Sequence, residues 1–253
     1  MHLVLNSSDG ARAPRALVVQ HVETEPPGPY LDVLLESGWE VDCRMHRPGL
    51  RPLEESALTQ MDALLVMGGP LTVAEPSAWR EHEMALIDTA IRRGMPCLGV
   101  CLGAQLLAAV LGATVRHGDG PEIGLLDLEL TPEGEIDPLS RAMGPAPTVL
   151  QWHSDTFELP EGAIRLASSA AYPNQFFRYG NAWGLQFHVE TTAALARRWL
   201  KHPSYCLSAN EVFGKSGIDG FIDQVEAAER SLHEIGRRIA HAWSTGILGE
   251  MTS

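Results

Sequence analysis

The sequence predicts an α/β protein: an open, mostly parallel sheet flanked by helices, with an antiparallel strand addition and a C-terminal helical extension. Three observations lead there. Short apolar runs alternate with helix-like segments through the first half of the chain, the pattern of βαβ units. Between Thr114 and Tyr179 the hydrophobic period drops to two, with turn residues roughly every eight to twelve positions, which predicts short antiparallel strands added to the parallel sheet. Near the end, Phe221, Ile222, Val225, Ala228, Leu232, Ile235 and Ile239 recur at helical spacing and mark one amphipathic helix.

In chain order, residues 1–13 read as a tail, 14–203 as the main domain and 204–253 as the extension. Ala16 to Gln20 is the first strand, Pro29 to Ser37 a short helix ended by Gly38, and Trp39 to Arg44 a second, alternating strand. Ala63 to Met67 is a continuous apolar run of buried-strand type, stopped by Gly68-Gly69-Pro70. Ala78 to Arg93 has helical periodicity closed by Gly94, and Pro96 to Val100 is the next buried strand. A helix from Gly103 to Leu111 follows, with Gly112 in the C′ position. Ala182 to Phe187 is the last strand, and Thr191 to Leu200 a helix with Pro203 beyond its end. The C-terminal helix either caps the domain or docks a partner, and capping is the commoner case.

The 253 residues are 45% apolar and 20% charged, enough to bury a sizeable core and unlike a disordered chain. Nineteen Lys and Arg against 32 Asp and Glu give a net charge of −13, which repels polyphosphate and anionic lipid. Only Lys201 and Lys215 are lysines, so no basic stripe offers itself to nucleic acid. Neither nucleic acid nor a membrane surface is an expected partner. No apolar run is long enough for a spanning helix, and the start lacks a basic region followed by a long apolar one. Cys43, Cys97, Cys101 and Cys206 are too scattered for a disulfide framework and form no CxxC pair. A cytoplasmic protein with free thiols is the expectation.

Gly99-Val100-Cys101-Leu102-Gly103 falls between a buried strand and a helix. This is the arrangement of a nucleophile elbow with Cys in the Ser slot. The sharp turn forces the nucleophile into an unfavourable backbone conformation and brings neighbouring chain so close that only glycine fits two residues before and after it. It also sets the sulfur over a helix N-terminus, where unpaired N–H groups favour an anion. The bland alternative is a small buried core cysteine between ordinary turn glycines.

A second segment, Trp183-Gly184-Leu185-Gln186-Phe187-His188-Val189-Glu190, ends an apolar strand in His-x-Glu. Residues i and i+2 of an extended chain point the same way, so Glu190 can reach the imidazole of His188. A thiolate nucleophile needs a histidine to exchange its proton, and a carboxylate fixes the tautomer and stabilises the imidazolium. The alternatives are a strand-end histidine beside a solvated glutamate, or a metal pair. A metal pair would need a third ligand at readable spacing, which makes it the least favoured of these readings.

These segments, with Met67-Gly68-Gly69-Pro70 before them and Gln151-Trp152-His153-Ser154-Asp155 between them, resemble the class I glutamine amidotransferases, in particular the glutaminase domain found in GMP synthases. The resemblance spans roughly residues 16–200. It implies a flavodoxin-like open sheet and a catalytic triad of Cys101, His188 and Glu190 that cleaves the γ-carboxamide of glutamine through a γ-glutamyl thioester. Two N–H donors are needed for the oxyanion. The elbow geometry gives one to Leu102, and the resemblance gives the other to Gly69. By resemblance, Gln105, Ser154 and Asp155 contact the amino-acid end of the substrate, Asp155 suiting an α-ammonium. No metal or organic cofactor is implied.

The sequence departs from the family pattern at Ser154, where glycine is usual, at Val189, where proline is usual, and at Ala104 in Leu102-Gly103-Ala104-Gln105. None of these removes a reacting atom, but Ser154 could narrow the amino-acid pocket. Residues 201–253 are too few for a synthetase and carry no P-loop-type glycine-rich segment. One reading places the ammonia acceptor on a separate synthetase subunit. Otherwise the domain works alone on glutamine or a γ-glutamyl peptide, or the elbow is a relic in a non-enzymatic binding module.

Overall fold

The computed structural model describes residues 12–251; residues 1–11 of the expected tail, and 252–253, lie outside the described residues. The elements are β1 (Arg15–Gln20), α1 (Pro29–Glu36), β2 (Glu40–Met45), β3 (Ala63–Val66), α2 (Ala78–Arg92), β4 (Cys97–Val100) and α3 (Leu102–Val110), then β5 (Val115–Asp127), β6 (Glu129–Leu130), α4 (Pro132–Ile136), α5 (Pro138–Met143) and β7 (Thr148–Phe157). The chain finishes with β8 (Ile164–Ser168), β9 (Phe176–Tyr179), β10 (Ala182–Leu185), α6 (Ala193–Trp199) and α7 (Pro203–Met251). Eight strands form one sheet in the order β2-β1-β3-β4-β10-β9-β8-β6. The first five are mutually parallel, and β9, β8 and β6 extend the sheet antiparallel.

Each central parallel strand is apolar along its whole length because both its faces are covered. In β1, Ala16 and Val18 point into one core and Leu17 and Val19 into the other; in β3, Ala63 and Leu65 oppose Leu64 and Val66 in the same way. Helices α2 and α3 cover one face, through residues such as Leu86, Ile87, Leu106 and Leu107. Helices α1, α6 and α7 cover the other. The predicted apolar stripe of the last helix lies on that face: Phe221, Ile222, Val225, Leu232, Ile235 and Ile239 are buried, and Ala228 packs against them half-buried. The helix caps the domain. It is longer than the stripe suggested, and it breaks at Gly214, whose φ of 61° and ψ of 166° separate residues 203–213 from 215–251.

The stretch from Thr114 to Tyr179 departs from the expectation in two ways. Strands β5 and β7 pair with each other as a separate antiparallel ribbon and do not join the main sheet. Two short helices also interrupt the strands. Thr131 caps α4 by accepting from the Gly134 N–H, Asp137 caps α5 by accepting from the Leu139 and Ser140 N–H groups, and each helix opens on a proline. At five and six residues these helices are too short to show a helical period, so only the Thr-Pro and Asp-Pro pairs could have announced them. Smaller differences concern ends: the second strand is Glu40–Met45, the third helix starts at Leu102, and the helix expected over Thr191 to Leu200 is Ala193–Trp199 with Thr192 as its cap.

The sheet order places β1, β3, β4 and β10 side by side and parallel, so the segments leaving their carboxyl ends converge. The chain leaves β1 toward β2 on one side and returns to β3 on the other, which is the switch point where such sheets form their clefts.

Candidate active site

Strand β4 turns directly into α3, and Cys101 is the turn. Its φ of 51° and ψ of −105° lie where a side chain is strained, and of the described non-glycine residues only Gln60 shares a positive φ. Such strain costs on the order of 1–3 kcal/mol and persists only where surrounding structure dictates it. Here a Cβ on Gly99 would sit 2.5 Å from the Gly103 carbonyl oxygen, and one on Gly103 would overlap the carbonyl oxygen of Val66. The Cys101 N–H donates to the Leu185 carbonyl at 2.7 Å, tying the elbow to β10.

Beyond β10, His188 exchanges backbone hydrogen bonds with Leu150 of β7, at 2.8 and 3.1 Å. Its Nδ1 is 2.6 Å from Glu190 Oε1, and Glu190 Oε2 accepts from the Val189 N–H at 2.9 Å. Cys101 also acts on the imidazole electrostatically. Burial alone would discharge this histidine, but Glu190 and then Cys101 outweigh it and hold the imidazole well above its ordinary value. The structure thus brings Cys101, His188 and Glu190 together in one chain of contacts.

Gly69 lies across from the elbow: a Cβ there would be 2.8 Å from His21 Cβ and 3.1 Å from Leu102 Cδ2. As the first residue of α3, Leu102 has an N–H with no acceptor inside the helix. Behind the loop, His21 Nδ1 is 2.9 Å from the Gly68 carbonyl, and its Nε2 is 2.9 Å from Glu83 Oε1. Glu83 also meets His46 Nδ1 at 2.7 Å. Burial opposes charge on both His21 and Glu83, yet their mutual attraction wins, raising the imidazole and lowering the carboxyl.

Gly69, Cys101, Gln105, Ser154 and Asp155 all border one cleft of about 280 Å³. Of the expected substrate contacts, Ser154 is exposed in it. Gln105 Nε2 donates to Gln186 Oε1 at 3.1 Å and lies 3.4 Å from the Asp155 carbonyl, while Gln186 Nε2 is 3.6 Å from Cys101 Sγ. Asp155 Oδ2 accepts from Thr72 at 2.7 Å, and His117 pairs with Oδ1 at 2.5 Å without hydrogen-bond alignment. His153, the other histidine of the cleft, is held by Glu122 at 2.9 Å and the Asp155 carbonyl at 3.0 Å.

Sequence reasoning missed Gln186, His21, Glu83 and Glu122. Gln186 could have been found, because it precedes His188 by two in an extended segment and so shares its direction. The others meet the site only through tertiary contacts between distant parts of the chain.

The family described as glutamine amidotransferase class-I matches residues 31–201. The chain belongs to this family. A glutamine amidotransferase-like protein of Salmonella typhimurium, YfeJ, is 32% identical over 74% of this chain and 80% of its own length. One subunit of the glutamine-hydrolysing GMP synthase of Sulfurisphaera tokodaii is 33% identical over 55% of this chain and 72% of its own. The crystal structure of a glutamine amidotransferase from Thermotoga maritima superposes with a TM-score of 0.75 at 32% identity, covering 90% of this chain and 97% of that one. The amidotransferase match contains Gly69, Cys101, His188 and Glu190, but the cleft wall formed by Ser204, Tyr205 and Ser208 lies beyond it, on α7. Among the described residues, no helix is long and apolar enough to cross a membrane.

Proposed function

We propose that this amidotransferase hydrolyses the γ-carboxamide of glutamine, with Cys101 as nucleophile, His188 as proton carrier and Glu190 as its orienter. The observation that carries this reading is Cys101 itself. A strained cysteine at the head of a helix interacts electrostatically with a buried histidine that a carboxylate holds in place. Cys101 Sγ attacks the carboxamide carbon, and the Gly69 and Leu102 N–H groups receive the oxyanion. His188 then gives its proton to the departing nitrogen, so that ammonia leaves and the γ-glutamyl thioester remains. A water molecule gives a proton to His188 and attacks the thioester; the C–S bond breaks, and glutamate and the thiolate are released. Gln105, Ser154 and Asp155 are proposed to receive the amino-acid end of the substrate, with Asp155 opposite the α-ammonium.

The name of the Sulfurisphaera tokodaii relative supports a second element of the proposal, delivery of the ammonia to a separate synthetase subunit. The test is a panel of glutamine, γ-glutamyl dipeptides and γ-glutamyl amides, assayed with and without cell extract, using Cys101→Ala as the blank. Glutamine hydrolysis that rises with extract supports an amidotransferase subunit. Hydrolysis of γ-glutamyl peptides without extract identifies a stand-alone peptidase. Silence throughout, with no thioester trapped on Cys101, rejects the catalytic reading in favour of a binding module.

A further inference from the structure

Glu25, in the segment leaving β1, is a carboxyl group that the proposed mechanism does not use. It is only 1% exposed. Its Oε1 accepts from the Tyr205 hydroxyl at 2.5 Å, whereas its Oε2 is buried with no hydrogen-bond partner. That bare oxygen faces the site. A Cβ added to Gly68 would collide with Oε2 and lie 3.2 Å from His188 Cε1, so both atoms border the same gap in front of Gly68. His188 is thus flanked by two carboxyl groups, Glu190 on Nδ1 and Glu25 toward Cε1.

We propose that Glu25 is a positioning residue for the reaction: ionised and held by Tyr205, it stabilises the imidazolium of His188 from the Cε1 side of the ring. This inference rests on the proposed role of His188 and adds a group to it. An unpaired carboxyl oxygen in a dry site is costly unless a positive charge faces it. The charged or titratable groups that face Glu25 are His188 and Glu190 after β10, His21 after β1 and Tyr205 on α7; only the two histidines can supply that charge. Burial raises the Glu25 carboxyl above its ordinary range, and His188 and the Tyr205 hydroxyl work in the opposite direction. Tyr205 lies outside the matched amidotransferase region, so α7 reaches the base through this pair. The contact is reinforced by Trp199, which edges onto the His188 ring with centroids 4.9 Å apart and donates to the Thr24 carbonyl at 2.8 Å.

The test reads His188 directly, by NMR titration of its Cε1–H in the full chain, alongside glutamine kinetics across pH. With Glu25→Gln the imidazole should titrate about one unit lower, the shift expected for loss of a charge within a few ångströms. The alkaline limb of kcat/KM should move down with it, and kcat should fall about tenfold at unchanged KM. Tyr205→Phe should lower the titration by less, since without its donor the Glu25 carboxyl ionises less readily and its charge is only partly lost, and this variant decides the matter if Glu25→Gln does not fold. An unmoved His188 titration in the folded Gln variant, or failing that in the Phe variant, overturns the proposal even if activity falls. A titration that moves as expected in a chain inactive on every γ-glutamyl compound keeps the proposal and rejects glutamine hydrolysis.

Discussion

The two halves of the site are built by different means. On the nucleophile side, Cys101 is placed by backbone alone: a positive φ, a hydrogen bond to Leu185, and two glycines against which no side chain could be fitted. On the side of the proposed base, the backbone of His188 is pinned to Leu150, but its ring is placed by side chains. Glu190, Trp199 and the Glu25–Tyr205 pair surround it, and α7 steadies the following turn through His233 Nε2, 3.2 Å from the Glu190 carbonyl, and Glu229, which accepts from the Ala193 N–H at 3.1 Å. A backbone device is rigid and intolerant of substitution, whereas a side-chain device can be adjusted group by group. Damage to the first should therefore appear as loss of fold, and damage to the second chiefly as loss of rate.

Gly103→Ala should have the largest effect. A methyl group driven into the Val66 carbonyl cannot be accommodated by a rotamer change, and overpacking of this kind costs about 3 kcal/mol. Thermal unfolding should shift downward by many degrees and activity should vanish with the fold; a variant as stable as the wild type would show that the elbow is looser than its contacts imply.

His188→Ala should lower kcat/KM about a thousandfold, the contribution of a general acid and base, and should lower the melting temperature as well, because it leaves the buried Glu190 carboxyl without its partner. Glu190→Gln should cost less, about a hundredfold, and should also change the pH profile. Because His188 sits well above its ordinary value, the imidazolium persists to higher pH than that of a free imidazole and is lost as pH rises through that raised value. Removing the Glu190 charge lowers it, so the alkaline limb should retreat toward neutral pH. A profile that keeps its alkaline limb would mean that Glu190 is not what charges His188.

The smallest change is expected behind the proposed oxyanion loop. Glu83→Gln deprives His21 of its counter-charge and loosens its hold on the Gly68 carbonyl. Misplacement of a donor by a fraction of an ångström should lower kcat about tenfold with little change in KM, checked by steady-state kinetics at neutral pH. An equal loss in both parameters would place the effect in binding instead.

This contrast also explains what the sequence revealed. The elbow is a local device written in five consecutive residues, and His188-Val189-Glu190 is local too, because period two aims its ends the same way. The parallel sheet was legible in its continuous apolar runs for the same reason: burial on both faces leaves no polar alternation. Glu25 could not be told from Glu23 two residues earlier, since what distinguishes it is Tyr205, 180 positions away in sequence. His21, Glu83 and His46 likewise come from a strand end, a helix and a second strand end, and no spacing announces their meeting. The β5–β7 ribbon was misplaced because period two declares a strand without declaring its partner.

The central claim, that Cys101 is the nucleophile activated at this site, is tested most directly by labelling with a glutamine-mimicking electrophile followed by peptide mass spectrometry. Cys43 is exposed, Cys206 half-buried, and Cys97 buried with its thiol pushed up to about 12 by burial, so accessibility alone favours Cys43. One adduct is expected, on Cys101, lost in His188→Ala and suppressed by excess glutamine. Modification of Cys43 or Cys206 with Cys101 untouched would contradict it.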